Sequence, residues 1–149
     1  MSDDRTLLLD IVREAYDGKA WHGPNLRAVL RGVNANQAFW RPTPERHSAW
    51  ELMLHCAYWK FAAWRRLTGA RGVKFPRAGK NFIAMPEPTE RAWREDLQLL
   101  ADSHGMLLDA IAELPKKTLA SRARMVYGVA MHDTYHAGQI RLMMRLYGA

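Results

Sequence analysis

A chain of 149 residues is long enough for one domain with a proper core and too short for two comfortable ones, so a single domain over residues 1–149 is expected. Hydrophobic residues make up 48% and charged residues 25%, which excludes a disordered chain, and the lone cysteine, Cys56, excludes an intramolecular disulfide framework. The net charge of +7 comes from scattered arginines. No dense basic run and no helix-turn-helix, zinc-finger or RNA-recognition pattern accompanies it, so a solvated basic surface is favoured over a nucleic-acid site.

Met1-Ser2-Asp3-Asp4 is acidic where a secretory signal carries its basic region. No apolar run with a small-residue cleavage site follows, and a cytoplasmic location is expected. Asp3 and Asp4 open a first helix with Leu7, Leu8, Ile11, Val12 and Ala15 at helical spacing, closed by Gly18. After Trp21-His22-Gly23-Pro24 comes a shorter helix, with the proline in its first turn and Leu26, Val29 and Leu30 on one face. Asn34 caps a further short turn through Phe39, and Arg41-Pro42-Thr43-Pro44 breaks the chain.

Ser48-Ala49-Trp50-Glu51 has the form of a capping box, in which serine and glutamate each satisfy the other's amide. It predicts a long helix to about Thr68, stopped by Gly69. This helix is apolar enough to raise the question of a membrane span. Glu51, His55, Lys60, Arg65 and Arg66 interrupt it, and so many ionised groups at bilayer depth cost too much, so a buried helix in water is expected. Ala70–Pro88, rich in glycine and proline, reads as a long loop, and long loops in compact domains are often functional. Thr89 caps the next helix, in which Trp93, Leu97, Leu100, His104, Leu107, Leu108 and Ile111 recur at threes and fours until Pro115. The last helix is predicted to begin near Arg122–Arg124 and to run to Tyr147. With no alternating β-branched run, the expected class is all-α: four long helices in a bundle, with short extra helices.

The last helix carries Met131-His132-Asp133-Thr134-Tyr135-His136. Residues four apart share a helix face, about 5–6 Å between Cβ atoms, so two imidazoles there can meet on one ion. Met125, Val129, His132, His136, Ile140, Met143 and Tyr147 form the stripe expected to face inward, and His55 lies in the corresponding stripe of the capped helix. Three inward histidines from two helices fit either a divalent metal site or three hydrogen-bonded core residues. A His-x-x-x-His pair by itself is a weak motif, and without a glutamate after the first histidine the zinc-protease pattern is absent.

The remaining candidates read more plainly. Asp133 is turned about 100° from His132, which points to a role behind the ligands or at the surface. His22 reads as a turn histidine with a structural hydrogen bond, His104 as a core residue, His47 as a surface residue, and Cys56 as an inert buried thiol. Gly138, inside a helix, predicts a close helix approach. Met131, Met143 and Met144 read as core filler, and Trp59 or Tyr135 as candidates to line a pocket above the metal.

His55-Cys56-Ala57-Tyr58-Trp59-Lys60, after its Trp-Glu-Leu helix start, resembles the second helix of the DinB-like bundle proteins. Met131-His132-Asp133-Thr134-Tyr135-His136-Ala137-Gly138-Gln139-Ile140 resembles that family's most characteristic segment, and the stretches around Trp21–Pro24 and Pro86–Trp93 resemble it too. The resemblance implies a four-helix, up-down-down-up bundle, often dimeric, whose metal ligands fall on His55, His132 and His136. Three protein ligands leave a coordination position open, as catalytic or ligand-binding metals require. Imidazole ligation suits zinc, nickel, copper or iron about equally.

The resemblance further implies a metal-dependent hydrolase, or a transferase using a low-molecular-weight thiol, acting on a small electrophilic substrate. For the thiol version, Arg71 and Arg77 of the long loop are candidates to receive the thiol's carboxylates. The alternative is a non-catalytic metal or small-ligand binding module of a stress response. A homodimer is expected, with no membrane partner. No residue beyond the three ligands is assigned as acid or base.

Overall fold

The computed structural model describes residues 4–147, and its regular elements are all helical. They are α1 (Asp4–Tyr16), α2 (Leu26–Leu30), α3 (Ala35–Phe39), α4 (Ala49–Thr68), α5 (Glu90–Glu113) and α6 (Lys116–Tyr147). Asp3, expected to help open α1, lies outside the described residues. No helix among them is long and apolar enough to cross a membrane.

Local chemistry sets most of the boundaries. Ser48 Oγ accepts from the amide of Glu51 at 3.1 Å, and Glu51 Oε2 accepts from the amide of Ser48 at 2.7 Å. Arg41 clamps the same carboxylate with two bonds, of 3.1 and 2.6 Å, anchoring the start of α4 to the preceding turn. Gly69 ends α4 at φ 69°, a left-handed conformation that costs glycine nothing. Asn34 with Gln37 forms a second capping box on α3, and Thr89 caps α5.

Two boundaries differ from expectation. The cap of α2 is Asn25, whose side chain accepts from Ala28, so Pro24 precedes the helix rather than filling its first turn. α6 begins at Lys116, directly after Pro115, whose carbonyl accepts from Leu119. Its first two turns are mostly polar and bury only Leu119, so the apolar periodicity that marks its later turns is silent there.

α1 packs against α5 and α6, and α4 packs against α5 and α6. The core has two apolar clusters. One joins the N-terminal halves of α4 and α5 to the C-terminal half of α6 through Trp50, Trp93, Leu100, Ala137 and Ile140. The other joins α1 to the C-terminal halves of α4 and α5 and the N-terminal half of α6 through Val12, Leu67, Ile111 and Val126. Helices α4 and α5 therefore run in the same sense, and the chain from Gly69 to Thr89 must travel back along the helices to join them.

Between the clusters, in sequence order on each helix, sit Lys60, Ser103, His104 and Asp133, all buried. Lys60 Nζ donates to Asp133 Oδ2 and lies 3.2 Å from His104 Nδ1, with the Tyr16 ring 5.2 Å away. An ammonium has no lone pair, so His104 Nδ1 is the acceptor and its proton resides on Nε2. Burial, then the charge of Lys60, holds His104 down at about 3. Asp133 is pushed up by burial and drawn back down by Lys60.

Candidate metal centre

The Ser48 cap fixes where α4 starts, and His55 lies two turns along it, at the edge of the polar layer. His132 and His136 are one turn apart near the middle of α6. The three rings turn their Nε2 atoms toward one another: His132 Nε2 lies 2.9 Å from that of His55 and 3.1 Å from that of His136. The ligating atoms of all three fall within 4.8 Å of one another.

Two of the rings are oriented from behind. His55 Nδ1 lies 2.9 Å from the carbonyl oxygen of Asn81. A carbonyl only accepts, so Nδ1 donates and Nε2 presents a lone pair to the centre. His136 Nδ1 likewise donates to Gln139 Oε1 at 2.6 Å, and its Nε2 also presents a lone pair. His132 Nε2 faces both, and one proton there satisfies only one of them at a time. His132 Nδ1 is buried and has no partner among the described residues. A divalent cation accepts all three lone pairs together. At nitrogen–zinc distances of about 2.0–2.1 Å, tetrahedral geometry separates the nitrogens by roughly 3.3 Å, within a few tenths of the spacing seen. The residues therefore fit a metal ion.

Desolvation supplies the right protonation state. Burial pulls His132 down to about 3, reinforced by His136, His55 and Lys60. Burial also lowers His55 and His136, against the opposing bonds from Asn81 and Gln139. All three rings are neutral near pH 7 and available as ligands.

The long loop closes one side of the centre. Asn81 adopts φ 65° and is the one non-glycine residue with positive φ among those described. Asparagine tolerates this left-handed conformation, and here it aims the carbonyl at His55. The side chain of Asn81 accepts from Trp59 Nε1 at 3.0 Å, so one residue orients both His55 and Trp59. Next to it, the Phe82 ring lies flat between His55 and His47, with centroids 4.1 and 3.8 Å away.

A family model described as the DinB superfamily matches residues 20–140. The chain belongs to the DinB superfamily. No curated protein and no solved structure matches it. The matched span takes in the three histidines, Gln139 and the loop that covers them, so the DinB-superfamily region contains the whole centre.

Within this DinB-superfamily chain the other candidates fall as follows. Cys56, His132 and Asp133 form a second group with ligand geometry. Burial pushes the Cys56 thiol well above its ordinary value, and the carboxylate of Asp133 is engaged by Lys60, so the histidine triad is the better site. Asp133 is not at the surface: it is fully buried, and it lies in the most buried strip of α6 with Val126, Ala130, Ala137 and Ile140, while the histidines flank that strip. His104 is a core residue as expected. His47 is exposed but stacks on Phe82, and His22 is exposed with no hydrogen bond among the described residues, contrary to expectation.

The close approach expected at Gly138 is absent, because a Cβ there would meet nothing within 4 Å. Met143 is in the core and Met144 packs against it, whereas Met131 is 65% exposed. Arg77 donates to Asp96 Oδ1 at 2.5 Å, while Trp50 Nε1 donates to the other oxygen at 2.8 Å. That guanidinium pins the loop to α5 and is not free to receive a thiol's carboxylates. Arg71 is exposed. Asn81 and Gln139 are not among the residues expected from the sequence. The only signal for the first was an asparagine in a loop; for the second it was a polar residue three places after His136.

Proposed function

We propose that His55, His132 and His136 hold a divalent transition metal in a four-helix, up-down-down-up bundle, and that the protein is a metal-dependent hydrolase or thiol-dependent S-transferase acting on a small electrophile. The shared sense of α4 and α5 supports that topology. The observation that carries the metal reading is the meeting of three Nε2 atoms while Asn81 and Gln139 hold two of the rings from behind. A divalent ion with an open position would supply Lewis acidity, lowering the pKa of a water or thiol so that it attacks near neutral pH. The chain's own residues do the rest. Asn81 and Gln139 fix the tautomers of His55 and His136, burial keeps the rings neutral, and Phe82 shields one face of His55 from water.

The test is metal content by elemental mass spectrometry on wild type and His132→Ala, both loaded with zinc, nickel or iron and desalted identically. Near-stoichiometric metal in the wild type and its loss in the variant are expected. Turnover is then assayed with thiol and electrophile, and with hydrolysable esters and amides. Metal retained without turnover would favour the non-catalytic binding module. No retention of any metal would reduce the three histidines to packing.

A further inference from the structure

Next to His132 lies a slot of about 190 Å³, lined by Trp59, Ala63 and Arg66 of α4 and by Met125, Gly128 and Val129 of α6. Its volume suits a short organic chain. Apart from His132 and Arg66, the side chains lining it are apolar, Trp59 through its indole face. Trp59 is fixed by the Asn81 side chain that belongs to the histidine centre, so the slot and the centre share a wall.

Gly128 is the first feature. It sits inside α6, where glycine costs about 0.5–1 kcal/mol relative to alanine. Neither usual reason for a glycine applies. Its backbone is not at positive φ, and a Cβ would meet nothing within 4 Å. What the missing side chain leaves is open slot.

Arg66 is the second feature. Its guanidinium lies 5.6 Å above the Trp59 ring, and no carboxylate or hydrogen-bond acceptor pairs with it among the described residues. A planar cation at the edge of an apolar slot recognises an anion through paired N–H donors.

We infer that this slot receives the substrate, and that the substrate is a short, largely apolar molecule with one anionic group, its chain beside Gly128 and its charge on Arg66. This deepens the metal-enzyme reading and rests on it, because the slot matters to chemistry only if His132 belongs to a reactive centre.

The test uses hexanoate, with hexanol and hexylamine as uncharged and cationic controls. Binding is followed by isothermal titration to zinc-loaded and zinc-free protein. Wild type should take hexanoate with a dissociation constant on the order of millimolar and prefer it to both controls. Gly128→Leu should lose hexanoate binding while keeping its zinc and melting no lower than wild type. Arg66→Gln should weaken hexanoate about tenfold and leave hexanol unchanged. Undiminished hexanoate binding by Gly128→Leu, or equal binding of hexanoate and hexylamine by wild type, would overturn the inference. Failure of the metal reading looks different: wild type would hold no zinc, while hexanoate binding to the zinc-free protein would still depend on Gly128 and Arg66.

Discussion

The carbonyl oxygen of Asn81 lies 2.9 Å from Nδ1 of His55, joining the long loop to α4 across 26 positions of sequence. It orients the one histidine of the triad that does not come from α6, through a carbonyl that Asn81 presents from a left-handed backbone.

Two substitutions at Asn81 separate the carbonyl from the side chain. Asn81→Gly keeps the left-handed conformation and the carbonyl, and loses only the bond to Trp59. Asn81→Val puts a β-branched residue where it is strained by roughly 1–2 kcal/mol and displaces the carbonyl. In a zinc competition titration the valine variant should lose about 10–100-fold in affinity. The glycine variant should stay near wild type. Equal losses would show that the indole contact, not the carbonyl, supports the site.

The buried Lys60–Asp133 pair should behave as a unit. Lys60→Met leaves a carboxylate buried without its cation and should cost about 3–5 kcal/mol in urea unfolding. The double variant Lys60→Met, Asp133→Leu should recover most of that loss. If the single variant is as stable as wild type, the pair contributes nothing that a methionine cannot.

Stability of the metal-free protein should fall with acid in a defined window. Burial holds His104 at about 3 against an ordinary 6.5, so between those values the unfolded chain binds a proton that the folded chain refuses. The stabilisation is present in full above the unfolded value and is lost as pH falls toward the folded one, by about 1.4 kcal/mol per pH unit for this histidine. His132 acts in the same direction. His104→Asn should therefore flatten the dependence measured by urea unfolding between about pH 6.5 and 4. An unchanged slope would assign the acid sensitivity to other groups.

Gly138→Ala should stabilise the protein. A Cβ there meets nothing within 4 Å, and alanine gains about 0.5–1 kcal/mol in a helix interior. Thermal unfolding measures the gain. A loss instead would mean that something outside this chain occupies the space beside Gly138.

What was legible in the sequence was local. Ser48 with Glu51, Asn34, Thr89 and Gly69 act within a few residues of themselves, and each stands where its type predicts. His132 and His136 were legible because four residues apart on α6 is one turn, and His55 because it lies in the inward stripe of α4; it was the resemblance to DinB-like bundles that tied the three together. Lys60 and Asp133 were not, because charged side chains ordinarily mark solvent. Their burial depends on a partner 73 positions away that no periodicity reveals. Asn81 was hidden for a different reason: its main contribution comes from a backbone carbonyl, which every residue has. The start of α6 was lost because its first turns have little to bury.

Phe82 lies flat on one side of the His55 ring, at an interplanar angle of 5°, and the slot beside His132 lies along Trp59, Gly128 and Val129. The His55 ring is thereby closed to solvent on its Phe82 side, and the open surface next to the triad lies on the α4–α6 side, where His132 lines the slot.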